Sequence, residues 1–236
     1  MSEPLAWFGF FPYLCNKKTI NPKKTDIMNK EEKFVITISR QFGTGGHEIG
    51  AELARRLNVK LLDKQILNEV ARRFCVVEDA VEKIEARNPL WRDDFTQFYR
   101  SYMAGAEYEG TEHDQTSRQL FEAQAEAIRK IAAEESCVII GRCGFHIFRD
   151  HPNALKIFIH ADDDCRKRRI ARKYDISERD AAAMLVDNDY SRELYTKTFT
   201  GSDWQDARNY DVTINVKKFG VNGAVDFLMN CISPLS

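Results

Sequence analysis

The chain has 236 residues, 43% of them hydrophobic and 30% charged, which suits one α/β domain with an appendage better than two full domains. A formal net charge of -1 argues against a dedicated nucleic-acid binder, which carries a basic excess. The six cysteines show no C-x-x-C spacing and the chain is too long to need a disulfide frame, so they read as free thiols in a reducing, cytoplasmic setting.

Residues 5–15 (LAWFGFFPYLC) are apolar and aromatic, but too few to span a bilayer. They also lack the basic lead and small-residue cleavage site of a secretory signal. Residues 16–33 are polar and lysine-rich, a linker, with Met28 just ahead of the first strand. Residues 1–33 therefore read as a poorly structured extension, with an aromatic docking or membrane-surface segment as the alternative. The domain is expected over 34–232, followed by a short tail over 233–236.

Residues 34–39 (FVITIS) are a β-branched run ending in a glycine-rich turn, hence a strand. From His47, residues Ile49, Leu53 and Leu57 recur at helical spacing, so a helix follows the turn directly. A second short strand is predicted over 59–62 and a helix over 64–74. That order favours a parallel sheet covered by helices. Residues 78–135 read as helical with breaks. They include an aromatic stripe (Phe95, Phe98, Tyr99, Tyr102, Met103) suited to helix packing or to a homodimer contact. Residues 108–115 (YEGTEHDQ) read as a loop, and Leu120, Gln124, Ile128 and Ile131 mark one face of a long helix. Residues 137–140 (CVII) form a continuous apolar run ending at Gly141, as a buried parallel strand does. A strand over 155–160, a basic helix over 163–173 and a helix opened by the S-x-x-D sequence of 177–180 follow. A last strand over 210–216 and a closing helix over 222–231 complete the order.

Between the first strand and first helix stands Ser39-Arg40-Gln41-Phe42-Gly43-Thr44-Gly45-Gly46-His47-Glu48. Its glycines let backbone N–H groups approach a ligand, and the helix adds unpaired first-turn amides and the positive end of its dipole. Arg40, Gly43, Thr44, Gly45, Gly46 and His47 are thus candidate nucleotide-binding residues. A G-x-x-x-x-G-K-[ST] loop aligned on Gly45 puts its first glycine on Arg40, its lysine on Gly46 and its hydroxyl residue on His47. Arg40 is placed to restore the missing positive charge. Glu48 is a candidate Mg²⁺ ligand, since magnesium favours carboxylate and water oxygens.

Arg142 follows the strand ending at Gly141, at the carboxyl end of a sheet where α/β proteins bind ligands, and can grip a phosphate by two parallel bonds. Arg166 and Arg169 share a helix face at i and i+3, and Asp189 precedes Arg192 by the same spacing. Together they suggest a lid of arginines that closes over phosphates, neutralises charge and excludes water.

In order along residues 34–232, the segments ITISRQFGTGGHEIG, LLDKQIL, VIIGRCGFHIF, ADDDCRKRRI, DNDYSRELYTKTFTGSDW and YDVTINVKKFG resemble the cytidylate kinase-like family. The resemblance implies a three-layer P-loop fold with a parallel five-stranded sheet, a helical acceptor-binding insert and an arginine lid. It implies transfer of the ATP γ-phosphoryl group, with Mg²⁺, to CMP or a related nucleotide or small acceptor. It places Arg166, Arg169, Asp189 and Arg192 in the catalytic lid, and Asp63 and Arg142 at the acceptor. Cys143 stands where the family's Gly-Arg-Asp turn has its aspartate, and Lys64 and Gln65 replace the Thr-Gly that follows its Asp. The lysine-less loop leaves a second expectation: a nucleotide-binding regulator that has lost transfer.

Overall fold

The protein is described here from a computed structural model, over residues 28–63 and 112–232. The predicted helix over 64–74, the aromatic stripe, and residues 1–27 and 233–236 lie outside the described residues. The elements in chain order are β1 (Val35–Arg40), α1 (Gly46–Leu57), β2 (Lys60–Leu62), α2 (Glu112–Glu134), β3 (Cys137–Ile140), α3 (Gly144–Ile147), β4 (Ala154–His160), α4 (Asp163–Tyr174), α5 (Glu178–Thr200), a short 3₁₀ turn (Ala207–Asn209), β5 (Val212–Asn215) and α6 (Val216–Ile232).

The strands form one five-stranded sheet in the order β2-β3-β1-β4-β5. Every pairing is parallel, with Val35 opposite both Cys137 and Ala154. This is the α/β architecture expected from the order of elements.

Alternation along the strands divides the core in two. Ile36, Ile38, Val138, Leu155, Ile157 and Ile159 face Ile49 and Leu53 of α1 and Leu228 of α6. Val35, Cys137 and Ile139 face the other way, onto Ile128 and Ala132 of α2 and Phe148. Both faces are covered, so β3 reads as an unbroken apolar run and β1 is buried from Val35 to Ser39. Burying each such Ile or Leu contributes about 1.5–3 kcal/mol before entropy is charged against it.

Four boundaries differ from the sequence expectation by two residues or more. Residues 112–115, taken for loop, form the first turn of α2. β5 begins at Val212 rather than at residue 210: the Lys156 amide of β4 donates to the Asp211 carboxylate at 2.8 Å, and the Tyr210 hydroxyl donates to the Trp204 carbonyl at 2.6 Å. α6 begins at Val216, which packs in the core, and is broken only at Gly220 (φ 66°) before continuing. The domain also starts before Phe34. Met28 is buried in the main core, and Asn153 accepts from the Asn29 amide at 2.9 Å and donates to the Asn29 and Lys33 carbonyls at 2.8 and 2.9 Å. Residues 28–33 are therefore not part of a loose extension.

The helices that carry the basic residues are closed by their own side chains. Asp162 caps α4 by accepting from the Cys165 amide at 2.8 Å, and Ser177 caps α5 by accepting from the Asp180 amide at 3.1 Å. They pack on each other through Ile170, Ala181 and Leu185, with Phe42 of the β1–α1 turn inserted among them. This contact brings the basic helices to the carboxyl end of β1. No described helix is long and apolar enough to cross a membrane.

Candidate functional site

The turn after β1 is built from local bonds and two left-handed glycines. The Gln41 amide donates to the Ile159 carbonyl at 3.0 Å, and the Gln41 side-chain oxygen accepts from the Ala161 amide at 3.2 Å. The Thr44 hydroxyl donates to the Gln41 carbonyl at 2.8 Å and is buried, so Thr44 shapes the turn from inside. Gly43 (φ 80°) lies so close to α4 that a Cβ there would stand 2.8 Å from Ile170 Cδ1. Gly45 (φ 81°) is the N-cap of α1, and no side chain caps that helix. Its first-turn amides therefore open onto the turn.

Arg40 solves a problem the sequence poses. A Cβ at position 46 would stand 2.8 Å from both Cβ and Cγ of Arg40, so Gly46 is the residue that lets the Arg40 stem run over the start of α1. The guanidinium continues to Gly141 at the end of β3, where a Cβ would stand 3.5 Å from Arg40 Cζ. The position of the usual lysine is thus crossed by an arginine from the strand. Burial, then the nearby Arg192 and Arg142, push the Arg40 pKa down to about 9, with Asp63 opposing them, so it is charged at neutral pH. Guanidiniums brought together at the carboxyl end of a parallel sheet stand where α/β proteins bind ligands.

The lid residues fall into two groups. Arg166 is only 4% exposed and pairs with Asp163 and Asp189, while its Nη1 donates to the Phe42 carbonyl at 3.2 Å. Asp189 also accepts from the Phe42 amide at 2.8 Å, and Arg192 Nη1 donates to Asp189 and to the Arg40 carbonyl, both at 3.3 Å. The Arg192 guanidinium lies 5.3 Å from the centre of the Phe42 ring, and burial pushes its pKa down to about 10. Arg166, Asp189 and Arg192 thus grip the backbone of residues 40–42. In this structure their bonds run to the turn after β1. Arg169 is different: it is partly exposed and pairs with Glu48 of α1 directly beside Gly45.

On the other side, Gly141 (φ 75°), Arg142 (φ 52°) and Cys143 (φ 53°) are three successive left-handed residues. Two of them carry side chains, and strain of this kind collects at functional sites. Arg142 lies 5.8 Å from the centre of the Tyr195 ring, and burial pushes the Tyr195 phenol up to about 12. Cys143 is buried, its sulfur 3.9 Å from the Thr196 hydroxyl, and burial pushes its thiol up to about 12 as well. The position of a family carboxylate therefore carries an uncharged thiol turned inward. His47 Nε2 and Asp63 Oδ2 stand 3.3 Å apart at the edge of the cleft.

The Glu48 carboxylate, expected at a metal ion, pairs with Arg169 in this structure. Among the described residues no three acidic, histidine or cysteine side chains group to hold a metal ion. Sequence reasoning missed Phe42 and Tyr195, both ordinary apolar positions until the fold sets an arginine against each ring. The i, i+3 spacing of Asp189 and Arg192 was visible, but not its target in the β1–α1 turn.

A five-stranded parallel sheet whose central strand leads through a glycine turn to an uncapped helix, with arginines around the turn, defines a phosphate-loop α/β protein. The model of the cytidylate kinase-like family matches residues 35–218, and the chain belongs to that family. A cytidylate kinase of Methanosarcina acetivorans is 31% identical over 106 residues, 44% of this chain and 59% of that protein. One from Saccharolobus islandicus is 26% identical over 106 residues, 45% of this chain and 56% of that protein. The match thus spans under two thirds of these curated relatives. The crystal structure of an uncharacterized protein from Eubacterium ventriosum superposes with a TM-score of 0.65 at 29% identity, covering 86% of this chain and all of that one.

Proposed function

We propose that the protein is a nucleotide kinase-like phosphotransferase that moves the ATP γ-phosphoryl group to CMP or a related nucleotide or small phosphorylatable acceptor. The observation that carries the reading is the Arg40 stem lying across Gly46, the position of the absent loop lysine, with its guanidinium carried on to Gly141. In this reading the amides of the β1–α1 turn and α1 hold the phosphates, Arg40 and Arg169 neutralise the charge that develops, and Arg142 receives the acceptor's anionic end. Phosphoryl transfer asks for alignment and charge neutralisation more than for a covalent nucleophile, which suits this set. Arg166, Asp189 and Arg192 act by keeping residues 40–42 in place. Asp63 is assigned to the acceptor side on the family pattern. Mg²⁺ belongs to the reading as a companion of ATP, held by phosphate oxygens and water, and no step here is routed through it.

The uncharged Cys143 bears on the acceptor. With no carboxylate at that turn, an aminopyrimidine loses a hydrogen-bond acceptor, so acceptors other than CMP belong in the test. The decisive experiment is ADP release from ATP and Mg²⁺ across a panel of nucleoside monophosphates and small hydroxylated or phosphorylated acceptors. Turnover with one acceptor, lost in Arg40→Ala, supports the proposal. A second reading, a nucleotide-binding regulator without transfer, is favoured by the glycine at position 46. ATP binding with no turnover on any acceptor would select it. A cytoplasmic location and a homodimer remain parts of the proposal.

A further inference from the structure

The Glu48–Arg169 pair sits where a phosphate chain is expected. A Cβ on Gly45 would stand 2.9 Å from both Glu48 Oε2 and Arg169 Nη2, so the pair lies against the open side of the turn. Glu48 belongs to the first turn of α1, which lacks a side-chain cap. The free amides and dipole of that turn attract an anion, and the chain itself supplies one. Arg169 comes from α4, so the pair also draws α4 onto α1. Both side chains are partly exposed, at 37% and 44%, so a ligand can reach and part them.

We infer that Glu48 is a tethered stand-in for a phosphate group, which holds Arg169 over Gly45 and selects polyphosphate ligands over single anions. The inference rests on the nucleotide reading above. A carboxylate fixed in the chain competes at high effective concentration, so an incoming anion must displace it. Orthophosphate offers one anionic centre for that exchange. A polyphosphate engages Arg40 and the turn amides while another of its groups takes Arg169, so its several contacts offset the displacement. Glu48 in this role is the partner of a guanidinium and not of a metal ion.

The test is calorimetric titration at low ionic strength with tripolyphosphate, orthophosphate and ATP, each with and without Mg²⁺. The proteins are the full chain, Glu48→Gln, Arg169→Gln and the double variant. Exposed ion pairs are weak, so Glu48→Gln is expected to tighten tripolyphosphate binding by about threefold and to narrow its advantage over orthophosphate. In the Arg169→Gln background that gain should vanish, because there is then no guanidinium to release. Equal or weaker binding by Glu48→Gln, or a gain that persists without Arg169, overturns the inference. So does a selective loss of Mg²⁺-dependent ATP binding, which marks Glu48 as a metal ligand. If the unmutated chain binds ATP and Glu48→Gln changes nothing, only the stand-in fails. If no protein binds ATP or tripolyphosphate, the nucleotide reading fails with it. Thermal unfolding of each variant accompanies the titrations, and Glu48→Ala, expected to shift binding in the same direction, replaces any Gln variant that fails to fold.

Discussion

Asp189 accepts a hydrogen bond from the main-chain amide of Phe42 at 2.8 Å, across 147 positions of sequence. The same carboxylate pairs with Arg166 and Arg192, so one acid ties two buried guanidiniums to the turn after β1. Replacing Asp189 by Asn leaves Arg166 buried with only Asp163 opposite. The expected loss of stability is about 3 kcal/mol, the low end for one partner of a buried pair. Urea unfolding measures it, and a midpoint equal to that of the unmutated chain removes the structural role.

Gly46 and Arg40 form a coupled pair. Gly46→Lys restores the usual loop lysine but drives its Cβ into the Arg40 stem, which stands 2.8 Å from that point. Overpacking of this kind costs about 1–3 kcal/mol. The double variant Arg40→Gly with Gly46→Lys makes room for the lysine and is expected to recover both stability and ATP affinity relative to Gly46→Lys alone. Additive effects of the two changes, read by calorimetry and unfolding, would show that the residues do not share the space.

Alkaline pH should unfold the protein through its buried thiols. Burial raises Cys143 from an ordinary value near 9 to about 12. The folded state therefore holds its proton longer than the unfolded state. The resulting stability is complete below pH 9 and is lost as pH rises towards 12. Tyr195 and Cys137, both also pushed up to about 12 by burial, add to the same decline. For each such group the slope reaches about 1.4 kcal/mol per pH unit. Cys143→Ala removes one titrating group, so its urea midpoint should fall less steeply between pH 9 and 11. Parallel profiles would rule the thiol out.

Asn153 ties residues 29–33 to the sheet. It makes three bonds to the main chain of Asn29 and Lys33. Asn153→Ala leaves those groups unmatched, and about 1–3 kcal/mol of stability should go with them. A chain starting at Phe34 should melt well below one starting at Met28. Equal melting of both shortened chains would place residues 28–33 outside the folding unit.

Much of the architecture was legible because local composition and tertiary burial agree. The run CVII is β3 to the residue, since a strand buried on both faces has to be apolar throughout. The turn after β1 was legible from its glycines, and their left-handed torsions give the reason. The fate of the charges was not. Arg166 and Arg169 share a helix face, yet one is buried under Asp189 and the other stands over Gly45, because α5 covers only part of that face. Spacing shows which side chains are neighbours on a helix, but not what lies opposite. The run from Tyr210 suggests a strand, but the Asp211 carboxylate takes the Lys156 amide before the ladder begins.

The late position of Asp189 in the chain has a consequence during synthesis. Phe42 leaves the ribosome early, but its partners Arg166 and Asp189 follow 124 and 147 residues later. β1 likewise waits for both β3 and β4 before it has neighbours. The nascent chain must therefore carry an unpaired strand until β3 and β4 have emerged, and an unfinished glycine turn until residue 189 has. Contacts this distant slow folding and lengthen the exposure of apolar strands, so the turn after β1 reaches its final shape only once residue 189 has left the ribosome.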